Sequence, residues 1–205
     1  NGNWSQAVNA GRRINSPGDE TNPFIHADNH NLYFSSDGWK TIGGKDLFHL
    51  DLEDIKMKQP QNLRSDINTE GDETEIYLLA DGKTAYASVF DSTERNYDIC
   101  TYPLPSEAWA ESVRILEGRV DVADSEEKHC RIKIYAIGRK TETGYETNPA
   151  NGAFTLALVD GEDYLLKIEK EGYAYCSRYI TAKDTEKRME LTLLQMQTGE
   201  SYPLN

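Results

Sequence analysis

Four histidines, three cysteines and a set of recurring acids are the residues that could carry chemistry in this chain. His26-Ala27-Asp28-Asn29-His30 has the i, i+4 spacing of a helical zinc pair, but its surroundings read as strand and turn. On a strand the two side chains stand about 13 Å apart, so only a tight bend brings them together, and a solvated turn is the expected state. There is no H-E-x-x-H and no His-x-x-Glu pair. Neither a metal site nor a cofactor is expected. A serine nucleophile lacks its G-x-S-x-G elbow, and Ser35-Ser36 falls inside a repeated strand. Gly43-Gly44-Lys45 lacks the flanking spacing and following helix of a phosphate loop. No catalytic residue is expected.

The acids recur at a fixed period. Asp46 and Asp98 hold equivalent places before a strand, without the D-x-D-x-D-G loop of a calcium site; each is expected to accept turn amides. Asp19-Glu20 returns as Asp72-Glu73, and a pair that recurs with the repeat is expected to be structural. Cys100, Cys130 and Cys176 include no C-x-x-C. Cys130 and Cys176 can pair only if their strands are neighbours; buried free thiols are the expected state. Tyr173, Tyr175 and Tyr179 alternate near one strand and form the candidate binding strip, with core and edge packing as the default duty.

These residues must be positioned by short strands. The chain has 205 residues, 38% of them apolar with twelve tyrosines in that share, and a net charge of −13. That charge excludes a general nucleic-acid binder, which must neutralise phosphates, and an anionic lipid surface. No apolar run approaches the roughly 18 residues of a membrane span. The charge is uneven: residues 1–110 carry nine basic and eighteen acidic side chains, the remainder thirteen and seventeen.

Ile14-Asn15-Ser16-Pro17-Gly18-Asp19-Glu20-Thr21 returns 53 residues later as Ile67-Asn68-Thr69-Glu70-Gly71-Asp72-Glu73-Thr74. Ala27-Asp28 then matches Ala80-Asp81, and Leu32-Tyr33-Phe34-Ser35 matches Ala85-Tyr86-Ala87-Ser88. A period near 50 residues means a supersecondary unit that buries its faces against copies of itself. Strands are expected near 22–27, 31–36 and 46–52, again near 75–80, 84–90 and 97–102, with a further strand opening each unit at 5–9 and 58–63. Four antiparallel strands per repeat is the make-up of a propeller blade.

From about Val113 the pattern changes. Strands are expected at 116–121, 130–136, 154–158, 164–169, 174–181 and 188–194, separated by turns such as Asn148-Pro149-Ala150-Asn151-Gly152 and Asp160-Gly161. Short strands at this density make a β-sandwich. Pro103-Leu104-Pro105 suggests a stiff turn between the halves.

The run Ile14–Glu20, Pro23-Phe24-Ile25, Leu32-Tyr33-Phe34-Ser35-Ser36 and Gly43-Gly44-Lys45-Asp46-Leu47-Phe48 resembles the PD40 repeat. That is the WD40-like blade of TolB-like proteins and of many Bacteroidetes envelope proteins. Gly118-x-Val120, Asn151-Gly152-x-Phe154-x-Leu156-x-Leu158, Gly161-x-x-Tyr164-x-Leu166 and Gly172-Tyr173 resemble the carboxypeptidase regulatory-like domain, which has a transthyretin-like fold. There Gly118, Gly152, Phe154, Tyr164, Gly172 and Tyr173 would serve turns and core. In this order, followed by Tyr202-Pro203-Leu204-Asn205, the modules are similar to envelope proteins that end in an OmpA-type peptidoglycan-binding domain, such as the PorE-like components of type IX secretion.

The expected fold is all-β: a partial β-propeller of two four-stranded blades over 1–105, a carboxypeptidase-regulatory-like sandwich over 113–198, and a linker at 199–205 towards a further domain. The resemblance implies a non-catalytic interaction scaffold in the Gram-negative periplasm, associated with the outer membrane or cell wall and without membrane insertion. Its partners would be envelope or secretion proteins, with peptidoglycan reached through the C-terminal domain. One alternative is a carbohydrate or muropeptide binding module using the tyrosines with Trp4, Trp39 and Trp109. Another is an accessory region of a hydrolase.

Overall fold

The computed structural model describes residues 5–54, 56, 58–91 and 93–196; Trp4 and the linker at 199–205 lie outside them. The chain divides into two compact units, Asn1–Ser112 and Val113–Asn205. Both are built from strands.

In the first unit, β1 (Glu20–Ile25), β2 (Asn31–Ser36), β3 (Asp46–Asp51) and β4 (Gln61–Asn62) form an antiparallel sheet in that order. The ladder between β1 and β2 shifts between Thr21 and Phe24. Pro23 has no amide to donate and Asn22 sits at φ 51°, so the chain bulges there. A second sheet follows, β5 (Glu73–Leu78), β6 (Thr84–Asp91) and β7 (Asn96–Pro103).

β2 is buried along its whole length because both of its faces pack. Leu32 and Phe34 meet Phe48 on one side. Tyr33 joins Leu47, Ile76, Leu78, Ala85 and Ala87 on the other. A fully buried strand needs no polar alternation, which explains the run Leu32-Tyr33-Phe34.

The expectation of four strands in each repeat is corrected in two ways. No strand forms at residues 5–9. The strand near 58–63 does form, as β4, but pairs with β3 through Phe48–Asn62 and His49–Gln61. It therefore completes the first sheet instead of opening the second, which has three strands among the described residues. After β7 a single 3-10 turn, Ser106–Ala108, packs back: Leu104, Ala108 and Ala110 are buried in the same cluster as Tyr33 and Ile76.

The second unit holds β8 (Val113–Val122), β9 (Arg131–Ala136), β10 (Thr141–Glu146), β11 (Ala153–Val159), β12 (Tyr164–Glu169), β13 (Cys176–Ile180) and β14 (Arg188–Leu193). They form two sheets, β10-β9-β12-β13 and β11-β8-β14, with β14 parallel to β8. Alternate residues of both sheets, among them Leu116, Val120, Ile132, Leu156, Leu166 and Ile168, build one core. Each such side chain contributes about 1.5–3 kcal/mol on burial. Gly118 faces Phe154 in the β8–β11 ladder, and a Cβ there would lie 1.9 Å from the ring. Gly152 sits at φ 71° against the Val120 carbonyl. Both positions demand glycine.

β12 lies between β9 and β13, so the strands beside Cys130 and Cys176 are not neighbours. Two strand spacings, about 9.5 Å, exceed the reach of a disulfide. All three cysteines are free, with Cys130 and Cys176 buried.

Candidate functional site

The turn between β1 and β2 and the turn between β5 and β6 are built alike. Asp28 Oδ1 accepts the amides of His30 and Asn31, both at 3.1 Å. Asp81 Oδ1 accepts those of Lys83 and Thr84, at 2.9 and 3.0 Å. Asn29 at φ 70° takes the left-handed position that Gly82 holds at φ 67°, a conformation open to Asn and Gly. The turn itself asks for no more than the aspartate and that left-handed residue. Where the second turn has Leu79 and Lys83, the first has His26 and His30.

Those two histidines are not solvated. His26 is 2% exposed and His30 8%, which corrects the expected open turn. His26 donates from Nε2 to the Leu79 carbonyl at 3.2 Å and presents Nδ1 to Asp28 Oδ2 at 3.2 Å. His30 has a carboxylate at each ring nitrogen: Asp51 Oδ1 is 3.1 Å from Nδ1, and Glu111 Oε2 is 3.0 Å from Nε2. Asp28 Oδ2 lies 3.7 Å from the same Nε2. The tight bend thus closes the gap that an extended strand would leave.

A second layer fixes these groups. The Asn31 side chain donates to Asp28 Oδ2 at 2.8 Å, and the Glu111 amide donates to the same oxygen at 2.9 Å. Buried His49 donates from Nε2 to Asn31 Oδ1 at 2.6 Å and packs its ring against Tyr33 at 4.9 Å between centroids. Tyr33 donates to the Ala108 carbonyl at 2.6 Å, which ties the segment carrying Glu111 to β2. His49 Nδ1 has no hydrogen-bond partner among the described residues.

The electrostatics follow from burial set against these bonds. Burial works to raise Asp28, but the bonds from His26, the Glu111 amide and Asn31 prevail and hold it well below the usual carboxylate range. Asp51 is lowered in the same way, with burial opposing and the His30 bond prevailing. Burial works to lower His30, yet Glu111, Asp28 and Asp51 together raise it. In His49 burial wins over the pull of Asp51 and Asp28, and its pKa falls to about 4. Asp28, His30 and Glu111 each offer one ligand atom, all within 4.8 Å of one another. These three residues could hold a metal ion.

Asp51 and Glu111 carry no sequence signal for this role. Glu111 lies 81 residues from His30 and after the last repeated strand. The available clue is that two imidazoles replace Leu79 and Lys83 at the repeat's equivalent positions.

The repeated acids lie elsewhere. Glu20 binds the amide and hydroxyl of Ser16, at 3.0 and 2.5 Å, as Glu73 binds those of Thr69, at 3.0 and 2.6 Å. Asp72 accepts the Lys45 amide at 2.8 Å, while exposed Asp19 donates its own amide to Asp37. Buried Asp46 accepts the amides of Ile42 and Gly43 and the Asn62 side chain. Asp98 departs from the expected pairing: it is exposed within β7, and no turn amide donates to it among the described residues.

The tyrosine strip divides. Tyr173 packs on the core and donates to the Ala123 carbonyl. Tyr175 and Tyr179 are half exposed, the former under Lys167 and the latter bonded to Asp163. Gly118, Gly152, Phe154 and Tyr164 lie at the core or its turns, and Tyr164 Oη accepts the Val159 amide at 2.9 Å. Gly172 takes φ 82° beside Tyr173.

No protein-family model matches the chain, and no curated protein matches it. Among solved structures it is similar to one titled "Crystal Structure of S.CueP", at 13% identity and a TM-score of 0.32 over 58% of this chain and 78% of that one. A TM-score of that size does not establish a shared fold.

Proposed function

We propose that this chain is a non-catalytic scaffold for protein–protein interaction in the Gram-negative periplasm. In this reading the first unit is two propeller blades and the second a transthyretin-like sandwich. Both belong to a larger OmpA-type envelope protein of the kind that serves type IX secretion. The PD40-like and carboxypeptidase-regulatory-like motifs support the placement, and the matching bonds of Ser16–Glu20 and Thr69–Glu73 support a duplicated unit.

One observation carries the scaffold reading. The second sheet of the first unit packs one face and leaves most of the other exposed, with Phe24 against Tyr77 at one end. Ile76, Leu78, Ala85 and Ala87 are buried, while Tyr77, Tyr86, Tyr97 and Ile99 are 64%, 43%, 51% and 80% exposed. The ladder aligns Tyr77 with Tyr86, Ser88 with Ile99, and Phe90 with Tyr97, so the exposed face sets aromatic and apolar side chains around the polar Glu75, Ser88 and Thr101, on a sheet whose last strand is an edge among the described residues. Such a surface marks an interaction site. A photo-crosslinker placed at Ile99 in the native envelope protein tests this. Capture of a discrete envelope partner, lost on Tyr86→Asp, supports docking. Crosslinks confined to the protein's own chain would mean that a further blade covers the face, and would end the docking claim for it.

A second reading, a glycan or muropeptide module, is favoured by a cleft of about 580 Å³ in the first unit. Trp39, Gln59, Gln61, Asn62 and Arg64 line it, an aromatic surface with amides around it. Muropeptide binding that Trp39→Ala removes would select this reading.

A further inference from the structure

We infer that Asp28, His30 and Glu111 form a site for one divalent transition-metal ion of zinc's class, independent of the scaffold reading. Two of the three donor pairs already stand close to the required spacing, and all three donor atoms lie within 4.8 Å of one another. In a tetrahedral site with ligand distances near 2 Å, ligand atoms are about 3.3 Å apart. Here His30 Nε2 is 3.0 Å from Glu111 Oε2 and 3.7 Å from Asp28 Oδ2. One imidazole nitrogen with two carboxylate oxygens suits zinc and its neighbours; calcium and magnesium take all-oxygen shells.

Three features separate this cluster from a chance gathering of acids. His30 Nδ1 faces Asp51 Oδ1 at 3.1 Å. That bond holds a ring proton on Nδ1 and turns Nε2 towards Glu111 and Asp28, the carboxylate–histidine–metal relation of established sites. Asp28 is in turn oriented by Asn31, and Asn31 by His49. Finally, the second turn makes the same Asp81 bonds with Lys83 in the place of His30, so the fold does not require an imidazole there.

Asp28 and His30 are buried and Glu111 is half exposed, which leaves the approach on the Glu111 side. Entry of the ion releases the Nε2 proton to solvent and shares Asp28 Oδ2 with its present contacts, the Asn31 side chain at 2.8 Å, the Glu111 amide at 2.9 Å and His26 at 3.2 Å. The opposing arrangement is a protonated His30 that itself bridges the three carboxylates.

The test is calorimetric titration of the chelator-treated 205-residue chain with zinc, with cobalt absorption as a report on ligand geometry. One ion per chain, bound with a Kd at or below about 10 µM, is expected. His30→Gln should abolish saturable uptake, and Glu111→Gln, a change on a half-exposed side chain, supplies the same readout if the histidine variant fails to fold. Asp51→Asn keeps every ligand and should weaken binding about 10- to 100-fold. His129→Gln, which removes the exposed imidazole beside Glu146, should leave binding unchanged. The inference is overturned if the parent chain takes up no ion, if uptake survives both His30→Gln and Glu111→Gln, or if it follows His129.

Discussion

Asp28 and Asp81, 53 residues apart, close the same turn by accepting the amides two and three residues ahead, yet one is buried and the other exposed. Their substitutions should therefore differ in cost. Asp28→Ala strands the buried donors of Asn31 and Glu111 and should lower stability by about 3 kcal/mol. Asp81→Ala exposes its amides to water and should cost about 1 kcal/mol. Urea unfolding of the two variants measures the gap; equal losses would contradict it.

His49 should make stability depend on pH. Burial lowers its folded pKa to about 4 from the 6.5 of the free side chain, against the attraction of Asp51 and Asp28 and with the repulsion of His30. The unfolded chain therefore binds the proton first. This contribution is full above pH 6.5, falls as the pH drops towards 4 and is gone below it, a loss of about 3 kcal/mol. His49→Gln keeps a donor for Asn31 without the titration. Melts at several pH values should show a shallower acid loss for the variant than for the parent; parallel curves would refute the assignment.

Gly118 and Phe154 should prove coupled. Gly118→Ala drives a methyl into the ring and should cost about 1–3 kcal/mol by overpacking. Combining it with Phe154→Leu should recover part of that loss. A double-mutant cycle without interaction energy would show that the ring moves aside freely.

The thiols should be reactive in order of exposure. Cys100 is part-exposed, whereas Cys130 and Cys176 are buried and burial raises the pKa of both. An aromatic disulfide reagent should titrate no more than one thiol per folded chain and all three in denaturant. Rapid modification of Cys176 in the folded state would be inconsistent with its place in the core.

Much of the fold is legible in particular residues. Cys130-Arg131-Ile132-Lys133-Ile134-Tyr135-Ala136 alternates because one face of β9 meets the core and the other does not. Thr141–Glu146 escapes notice because β10 is an edge strand with most residues exposed, so no alternation marks it. β4 is legible as a strand but not as a partner of β3, since two residues carry no information about pairing. The cluster at His30 was half legible: its histidines interrupt the repeat, but Asp51 and Glu111 look like any other surface acids until the chain folds.

The sequence by itself determined the local code: the 53-residue repeat, the turn-amide role of Asp46 though not of Asp98, the glycines at positive φ, and the apolar periods of the strands. These follow from residue type and near-neighbour spacing alone. The tertiary structure decided which sheet received β4, that β12 separates Cys130 from Cys176, and that Glu111 returns 81 residues along the chain to meet His30. Such meetings depend on how whole strands and the 3-10 turn pack, and no local pattern encodes a contact whose partners are brought together by a shared core.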